Sequence, residues 1–311
     1  MLKSIKMAEV KKIKLGIIGM SDGNGHPYSW SAIFNGYNRD EMQKCTFPVI
    51  PEYLNKQVFP EDYLFDKATV SHIWTQDKNT SNKIALASLI PNVCDTLEEM
   101  IPFVDGVLLA RDDAENHAKH AVPFLEAGLP IYIDKPFALT MDEANYLLNK
   151  SKYHNQIFSC SALQFAKEFK PENLNKNKIG EIKFIWGTIP KSWKKYGVHL
   201  IEPLLNLIPE RGNLISVESL QNKTSSVIQN VHIEWSSGIK AIIQTSGDVP
   251  TPLFLRIQGS KGYQDLYFSD SFYAFRSALI KFISIIEDKE VNIPRSFTKE
   301  MVEILEKGSN E

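Results

Sequence analysis

The sequence predicts an α/β protein in two parts, a doubly wound parallel sheet followed by an α+β domain with a largely antiparallel open sheet. Two observations predict the first part: strands alternate with helices at roughly 30-residue spacing, and the strands are short continuous apolar runs. After residue 163 the pattern changes to alternating or β-branched strands that follow one another. We place the first domain at 12–135 and the second at 136–311, with a helix at 140–152 packing back on the first.

The first domain begins with a buried strand, KIKLGIIG (12–19), a glycine-rich turn and a helix. A second strand is predicted from Phe47 in FPVIPEYL, and an acidic helix is predicted within 92–104. The strand DGVLLA (105–110) follows. The next helix should end at Gly128, because glycine readily takes the left-handed conformation that closes a helix.

The rest of the chain continues from the strand IYID, which follows Gly128. Thr140 and Glu143 have the spacing of a capping box, which predicts a new helix. IFSCSAL (157–163) is predicted as the last strand of the first domain. In the second domain a helix at about 197–209 and two C-terminal helices accompany strands at 181–190, 214–220, 223–235 and 238–248.

Length, charge and cysteine content narrow the function classes. The 311 residues carry a net charge of −2, which favours no nucleic-acid partner. Three cysteines without metal or redox spacing fit a reducing compartment. No apolar run approaches the ~20 residues of a membrane span, and we interpret residues 1–11 as a lead-in to the first strand. We therefore expect a cytoplasmic protein with a small-molecule substrate and no membrane partner.

The most informative segment is Asp134-Lys135-Pro136, which directly follows the strand IYI. Proline cannot donate to a sheet ladder, so the strand should end there. Ligands of open α/β sheets bind outside the carboxyl ends of the strands. A lysine at this position is therefore predicted to act on a bound ligand.

A glycine-rich loop follows the first strand and precedes a helix, which is the context of a dinucleotide-binding fingerprint. Such a loop lets the backbone approach a pyrophosphate at the helix N-terminus. The pattern G-x-G-x-x-G is altered, with Ser21 and Asn24 at the second and third glycine positions and Gly25 one place late. We predict nucleotide binding from the loop together with the later strand–helix units.

The choice between NAD and NADP stays open. The acid that binds the ribose should close the second strand, where Glu52 is the candidate, with Asn55 and Lys56 nearby. An acid favours NAD, whereas a basic neighbour favours NADP by pairing with the 2′-phosphate.

A second cluster of candidate residues lies in the second domain, where His199 and Glu202 are three apart and share a helix face. A histidine in the first turn of a helix that faces a cofactor is a candidate general acid/base, since its pKa lies near neutrality. Trp193 and Tyr196 are candidates for stacking on a sugar ring, although core packing explains them equally well. Lys195 is a candidate for binding an anionic substrate group.

A metal site is not predicted. Asp112 and Asp113 together with His117 and His120 could be drawn as one, but a loop and helix lining the cleft explain this group better.

These motifs together resemble the Gfo/Idh/MocA family, named for glucose–fructose oxidoreductase and inositol dehydrogenase. The resemblance covers nearly the whole chain, and its most specific parts are 104–110, His117, His120, the segment IYIDKPFAL and the turn Gln258–Gly262. It implies a Rossmann domain plus an α/β domain whose open sheet forms a dimer interface. It also implies NAD(P)-dependent hydride transfer on sugars, cyclitols or related polyols.

The resemblance assigns roles residue by residue. Lys135 matches the lysine that contacts substrate and nicotinamide ribose, His199 the catalytic-region histidine, and Glu202 the acid one turn further on. Lys195 stands where the family has an aspartate, so a usual carboxylate is missing. The substrate-binding residues are predicted as Trp193, Lys195, Tyr196 and Glu202. The cofactor-binding residues are predicted as Gly19, Ser21, Asp22, Gly23, Asn24, Gly25, Glu52, Ala110, Arg111, Asp112, His117, Asp134, Lys135 and Pro136.

The function predicted from these residues is hydride transfer between a nicotinamide and a hydroxyl-bearing carbon of a carbohydrate-like substrate. In this hypothesis His199 takes the hydroxyl proton and Lys135 stabilises the developing alkoxide. A catalytically silent nucleotide-binding sensor or scaffold of the same fold is the alternative, and a lyase using transient NAD oxidation is a third possibility. We expect a homo-oligomer, by default a dimer formed through the second-domain sheet.

Overall fold

The first domain is a six-stranded parallel sheet in a computed structural model that describes residues 12–220 and 227–309. Its strand order, β3-β2-β1-β4-β5-β6, is that of a doubly wound fold. The strands are β1 (Ile13–Ile18), β2 (Ala68–Trp74), β3 (Asn92–Val93), β4 (Gly106–Leu109), β5 (Ile131–Ile133) and β6 (Ile157–Ser159). The helices are α1 (His26–Asn35), α2 (Arg39–Met42), α3 (Val49–Leu54), α4 (Lys78–Ala87), α5 (His117–Ala127) and α6 (Met141–Lys150).

The second domain contains a mixed sheet of order β12-β11-β7-β10-β9-β8, antiparallel except for the pair β7 and β10. Its strands are β7 (Ile182–Ile189), β8 (Leu214–Leu220), β9 (Gln229–Trp235), β10 (Lys240–Thr245), β11 (Phe254–Gly259) and β12 (Tyr263–Tyr267). The helices are α7 (Lys176–Ile179), α8 (Trp193–Tyr196), α9 (Val198–Leu207), α10 (Ser271–Ile286) and α11 (Arg295–Gly308). The predicted fold class is confirmed.

Several local predictions are confirmed by backbone geometry. Gly128 ends α5 in the left-handed conformation with φ 81°, and Thr140 and Glu143 form the capping box of α6. The predicted strand 223–235 corresponds to β9, but 223–226 and the lead-in 1–11 lie outside the described residues.

The prediction of a second strand from Phe47 is wrong. VIPEYL forms the short helix α3, in which Pro51 lies in the first turn, where a missing backbone N–H costs no hydrogen bond. The actual second strand is ATVSHIW (β2), which pairs with β1. The acidic helix predicted within 92–104 is likewise replaced by the two-residue strand β3 and a 3₁₀ helix at Glu98–Phe103, which contains Pro102.

Residues 36–67, which we call the connecting segment, therefore join α1 to β2 and carry α2 and α3. This segment contacts the helix α10, which precedes the last helix: the ring centroid of Tyr53 lies 6.5 Å from that of Phe272 and 6.4 Å from that of Phe275. Arg276 Nε also donates to the carbonyl oxygen of Asp62 at 2.7 Å. The connecting segment thus joins the nucleotide-binding half of the chain to its last third.

The helix α10 packs on the first sheet although it follows the second in sequence. The Phe282 ring stacks on Phe158 of β6 at 5.9 Å and lies 5.8 Å from Tyr132 of β5. Trp30 of α1 stacks on the same Tyr132 at 4.7 Å. These rings form a buried aromatic core directly beneath the carboxyl ends of β5 and β6.

Candidate active site

The carboxyl ends of β1, β4 and β5 meet through paired hydrogen bonds. Ser21 Oγ donates to Asp112 Oδ1 at 2.6 Å, and the Asp112 backbone N–H donates to Ser21 Oγ at 3.0 Å. Asn24 Nδ2 donates to Asp134 Oδ2 at 2.9 Å, and His26 Nδ1 lies 2.5 Å from the same oxygen. The serine and asparagine that replace the second and third glycines of the fingerprint therefore anchor the loop to the next two strands.

The glycines of the loop fit a dinucleotide. A Cβ on Gly19 would lie 2.4 Å from the Pro27 ring, so only glycine allows β1 and α1 to approach this closely. Gly23 has φ 77°, and the position of its missing Cβ meets no atom of the described residues within 4 Å. Space for phosphate oxygens is therefore open in front of the α1 N-terminus, where backbone N–H groups favour anions.

Lys135 lies at this junction with its side chain buried, 5% exposed. Its Nζ is 3.4 Å from Asp112 Oδ2, and Lys195 Nζ is 3.8 Å from Asp112 Oδ1. Burial opposes ionisation of this carboxyl, but Lys135, the Ser21 hydroxyl and Lys195 outweigh it and lower the pKa of Asp112. A carboxylate is thus held between two lysines, one from each domain.

His199 lies in the first turn of α9 and faces the same junction. Its Nδ1 is 2.7 Å from Ser161 Oγ, which leaves Nε2 as the ring nitrogen free to meet a substrate. Burial, followed by the charges of Lys135, His26 and Lys191, lowers the pKa of His199 well below its usual value. The imidazole is therefore neutral at neutral pH and able to accept a proton.

Glu202 supports this arrangement from behind. Its Oε2 accepts the Ser161 backbone N–H at 2.7 Å, and its side chain is 3% exposed. Burial raises the pKa of Glu202 well above its usual value, although the Ser161 N–H opposes the shift. Glu202 does not line the cavity described next, so its predicted contact with substrate is corrected to an indirect one through Ser161.

A cavity of about 350 Å³ brings the candidate residues together. Its polar lining includes Asp112, Lys135, His199 and Tyr196, and the glycine loop from Gly23 to His26 forms one side. Its apolar wall was not predicted from the sequence. That wall comes from the connecting segment and from the second domain and includes Phe47, Ile50, Tyr53, Phe268 and Phe275.

Two predicted contacts need correction. Trp193 is 2% exposed and donates its Nε1–H to the Leu305 carbonyl at 2.9 Å, so it packs in the core and cannot stack on a substrate. Glu52 lies on the exposed face of α3, where it pairs with Lys56 at 3.0 Å, and it does not close the second strand. The predicted contact of Glu52 with the cofactor ribose depends on this segment being a strand, and the segment is a helix.

Gln76, two residues after the end of β2, lies beside the glycine loop instead. It accepts the Met20 N–H at 3.0 Å and donates to the Met20 carbonyl at 2.6 Å. Arg111 Nη1 donates to both Gln76 Oε1 and the Met20 carbonyl, while its Nε and Nη2 bind Asp113. The polar contacts beside the glycine loop are therefore made by an amide and a guanidinium.

The remaining predicted cofactor residues occupy the same edge of the sheet. Ala110 is buried and donates its N–H to the Ile18 carbonyl. Pro136 directly follows Lys135 and is also buried, whereas Asp22 is exposed at the loop tip. His117 lies within 3.1 Å of the carbonyl oxygens of Phe137 and Arg111 and fixes the loop between them.

Within residues 12–220 and 227–309, no group of three or more metal-ligating side chains forms a candidate ion site.

Comparison with known proteins agrees with this geometry. Residues 55–161 match the model of an oxidoreductase family with an NAD-binding Rossmann fold, GFO_IDH_MocA. Apo scyllo-inositol dehydrogenase from Lactobacillus casei is similar, with a TM-score of 0.72, 14% identity, and coverage of 96% of this chain and 95% of that one. Biliverdin reductase from Synechocystis sp. PCC 6803, solved with biliverdin and NADP+, has a TM-score of 0.67, 13% identity, and coverage of 94% and 97%.

Myo-inositol 2-dehydrogenase from Lactobacillus plantarum is also similar, with a TM-score of 0.71, 14% identity and 95% coverage of both chains. No curated protein matches the sequence. At these identities the solved structures establish the fold, and the family match covers residues 55–161, from the end of α3 to just past β6. No helix in the described part of the chain is long and apolar enough to cross a membrane.

The parallel sheet and the glycine loop have the arrangement of a Rossmann-type dinucleotide-binding domain, and residues 55–161 match an oxidoreductase family with that domain. The predicted resemblance to the Gfo/Idh/MocA family is confirmed over residues 55–161, and nearly the whole chain shares the fold of the inositol dehydrogenases named above.

Proposed function

We propose that this protein is an oxidoreductase that transfers a hydride between the nicotinamide of NAD or NADP and a hydroxyl-bearing or keto carbon of a carbohydrate-like substrate. The observation that carries the proposal is the shared cavity, which Lys135 and His199 line beside the glycine loop. An ammonium and a neutral imidazole on one cavity are the groups that oxidation of an alcohol needs.

Proton transfer, charge stabilisation and cofactor binding fall to different residues. His199 Nε2 accepts the hydroxyl proton during oxidation and returns it during reduction, with Ser161 fixing the ring through Nδ1. Lys135 Nζ stabilises the negative charge that develops on the substrate oxygen. Gly23, Asn24 and Gly25 would hold the dinucleotide at the α1 N-terminus, and its nicotinamide would supply the redox chemistry.

The proposal is tested with His199→Asn, which removes the proton acceptor but keeps a polar side chain of similar size. We expect kcat to fall about 10²–10⁴-fold, since this is the usual contribution of a positioned acid/base. The dissociation constant for NADH or NADPH, followed by nicotinamide fluorescence, should change little. Equal losses in turnover and cofactor affinity would argue against the acid/base role.

The pH profile provides a second readout. The lowered pKa of His199 means that its proton-accepting form persists below pH 6.5. The kcat/KM for alcohol oxidation should therefore stay level as the pH falls through 6.5 and decline only in more acidic solution. An acid limb centred at or above pH 6.5 would mean that another group accepts the proton.

A further inference from the structure

Lys191, which the sequence did not single out, lies between β7 and α8 on the rim of the cavity. Its backbone has φ 68°, in the left-handed region that favours glycine. Two hydrogen bonds hold it there: its N–H donates to the Gly247 carbonyl at 2.6 Å, and the Gly247 N–H donates back at 3.1 Å. A long cationic side chain thus occupies a conformation that glycine adopts more easily, and such strain is concentrated at functional sites.

The Lys191 ammonium contacts Tyr196. Nζ donates to the Tyr196 hydroxyl oxygen at 2.7 Å and lies 4.6 Å from the centre of its ring. Because this hydroxyl accepts from Lys191, its own hydrogen is free to be donated elsewhere. The Tyr196 ring also packs edge-on against His199, with centroids 5.1 Å apart. Lys191 and the proton acceptor are therefore separated by a single aromatic side chain.

Lys191 differs from the two other lysines near the cavity. Lys135 and Lys195 share Asp112, whereas no acidic side chain of the described residues lies within ion-pair distance of Lys191. Of the groups that line the cavity, Lys135 and Lys191 are fixed cations and Asp112 is the fixed anion. The cavity therefore carries an excess of positive charge, which favours an anionic ligand.

We propose that Lys191 and the Tyr196 hydroxyl bind an anionic group of the substrate, so that the substrate is an acidic carbohydrate bearing a carboxylate or a phosphate. An ammonium and a hydroxyl donor 2.7 Å apart can hydrogen-bond two oxygens of one such group. Since Tyr196 packs on His199, the bound anion places the reacting hydroxyl within reach of the imidazole. This inference rests on the proposed function, and it transfers the anion-binding role predicted for Lys195 to Lys191.

The test compares three ligands that share the glucose ring and differ in the group at carbon 6, which is uncharged, a carboxylate or a phosphate. Binding of glucose, glucuronate and glucose 6-phosphate to the full-length protein is measured calorimetrically, with and without saturating NADH. We expect glucuronate or glucose 6-phosphate to bind about tenfold or more tightly than glucose. The ligand that gains identifies the group as carboxylate or phosphate.

Variants separate charge from backbone strain. Lys191→Gln and Lys191→Gly should both abolish the preference for the anion, and because glycine accepts φ 68° the second variant keeps the turn. Lys191→Arg should restore most of the preference. Lys183→Gln is the matched control, since Lys183 is exposed, pairs with Glu181 and does not line the cavity.

Three results would overturn the inference: no wild-type preference for either anion, a preference that survives in Lys191→Gln and Lys191→Gly, or loss of NADH binding in those variants. The last result would place Lys191 on the cofactor. The NADH titration of the wild-type protein reports separately on the proposed function, because the anion preference is also measured without NADH.

Discussion

The two sides of the cavity are built differently. On the nucleotide-binding side, the polar side chains are buried and bond to one another, as Ser21 does with Asp112 and Asn24 with Asp134. On the second-domain side, the exposed Lys191 makes one side-chain hydrogen bond, to the half-buried Tyr196. The first side resembles a core in its hydrogen bonding, and the second resembles a surface.

The two kinds of hydrogen bonding suit two different tasks, which are binding a cofactor and selecting a substrate. A site for a common cofactor benefits from groups fixed in advance, because preorganised dipoles need not reorganise during reaction. A site that selects one substrate needs donors that are still unsatisfied, since only these gain from binding a ligand. We interpret the polar groups of the nucleotide-binding side as the fixed part of the site, and Lys191 with Tyr196 on the second-domain side as its selective polar part.

The largest stability effect is expected from Asp112→Asn on the fixed side. The amide can still bond Ser21, but the buried Lys135 loses its anionic neighbour at 3.4 Å. Removing one member of a buried pair typically costs about 3 kcal/mol of unfolding free energy. Urea denaturation of the two proteins measures the difference.

Its counterpart on the selective side is Tyr196→Phe, which removes the hydroxyl bonded to Lys191. This change should cost about 1 kcal/mol or less, because water can replace the lost partner of the exposed Lys191 ammonium. Equal destabilisation by Asp112→Asn and Tyr196→Phe would contradict the distinction between the fixed and the selective side of the cavity.

Glu202 behind His199 gives an intermediate effect that depends on pH. The pKa of Glu202 is raised above its unfolded-state value near 4.5, so folding favours the protonated carboxyl. That stabilisation is complete below pH 4.5 and is lost as the pH rises through the folded-state pKa. Glu202→Gln keeps an oxygen for the Ser161 N–H and cannot ionise, so its melting temperature should exceed that of the wild type by a few degrees at neutral pH.

Thermal melts from pH 4 to pH 8 measure this difference, which should shrink toward pH 4. Glu172→Gln, at an exposed position, serves as the control and should follow the wild-type curve. If the Glu202→Gln and wild-type curves stay parallel throughout, the carboxyl does not titrate as its burial implies.

The smallest effect on catalysis is expected from Trp193→Phe. The change removes the hydrogen bond from Nε1 to the Leu305 carbonyl, which is worth about 1 kcal/mol of stability. Steady-state KM for the substrate should be unchanged, because Trp193 packs in the core. A large rise in KM with unchanged stability would instead restore the role of Trp193 in substrate stacking.

The sequence was sufficient for the parts of the site whose signals are local. Asp134-Lys135-Pro136 ends β5 as predicted, because the apolar run and the proline are adjacent in sequence. His199 was placed correctly in the first turn of a helix for the same kind of reason. Lys135 and His199 both line the cavity, and their catalytic roles remain predictions.

The parts that were missed depend on contacts distant in sequence. FPVIPEYL and ATVSHIW are both short apolar runs, and the second is the strand because it pairs with β1. Lys191 is aligned by Gly247, 56 residues later, which no local pattern reveals. A proline inside the first run was the available signal against a strand.

The connecting segment gives this protein a route to new substrates. It is attached to the sheet by α1 and β2, and the cavity wall it supplies is apolar apart from the Tyr53 hydroxyl. Lys135, His199 and Ser161 come from other parts of the chain. Changes in the length or sequence of residues 36–67 can therefore reshape the space offered to a ligand while the proton-transfer groups stay in place, so selectivity and chemistry can evolve independently.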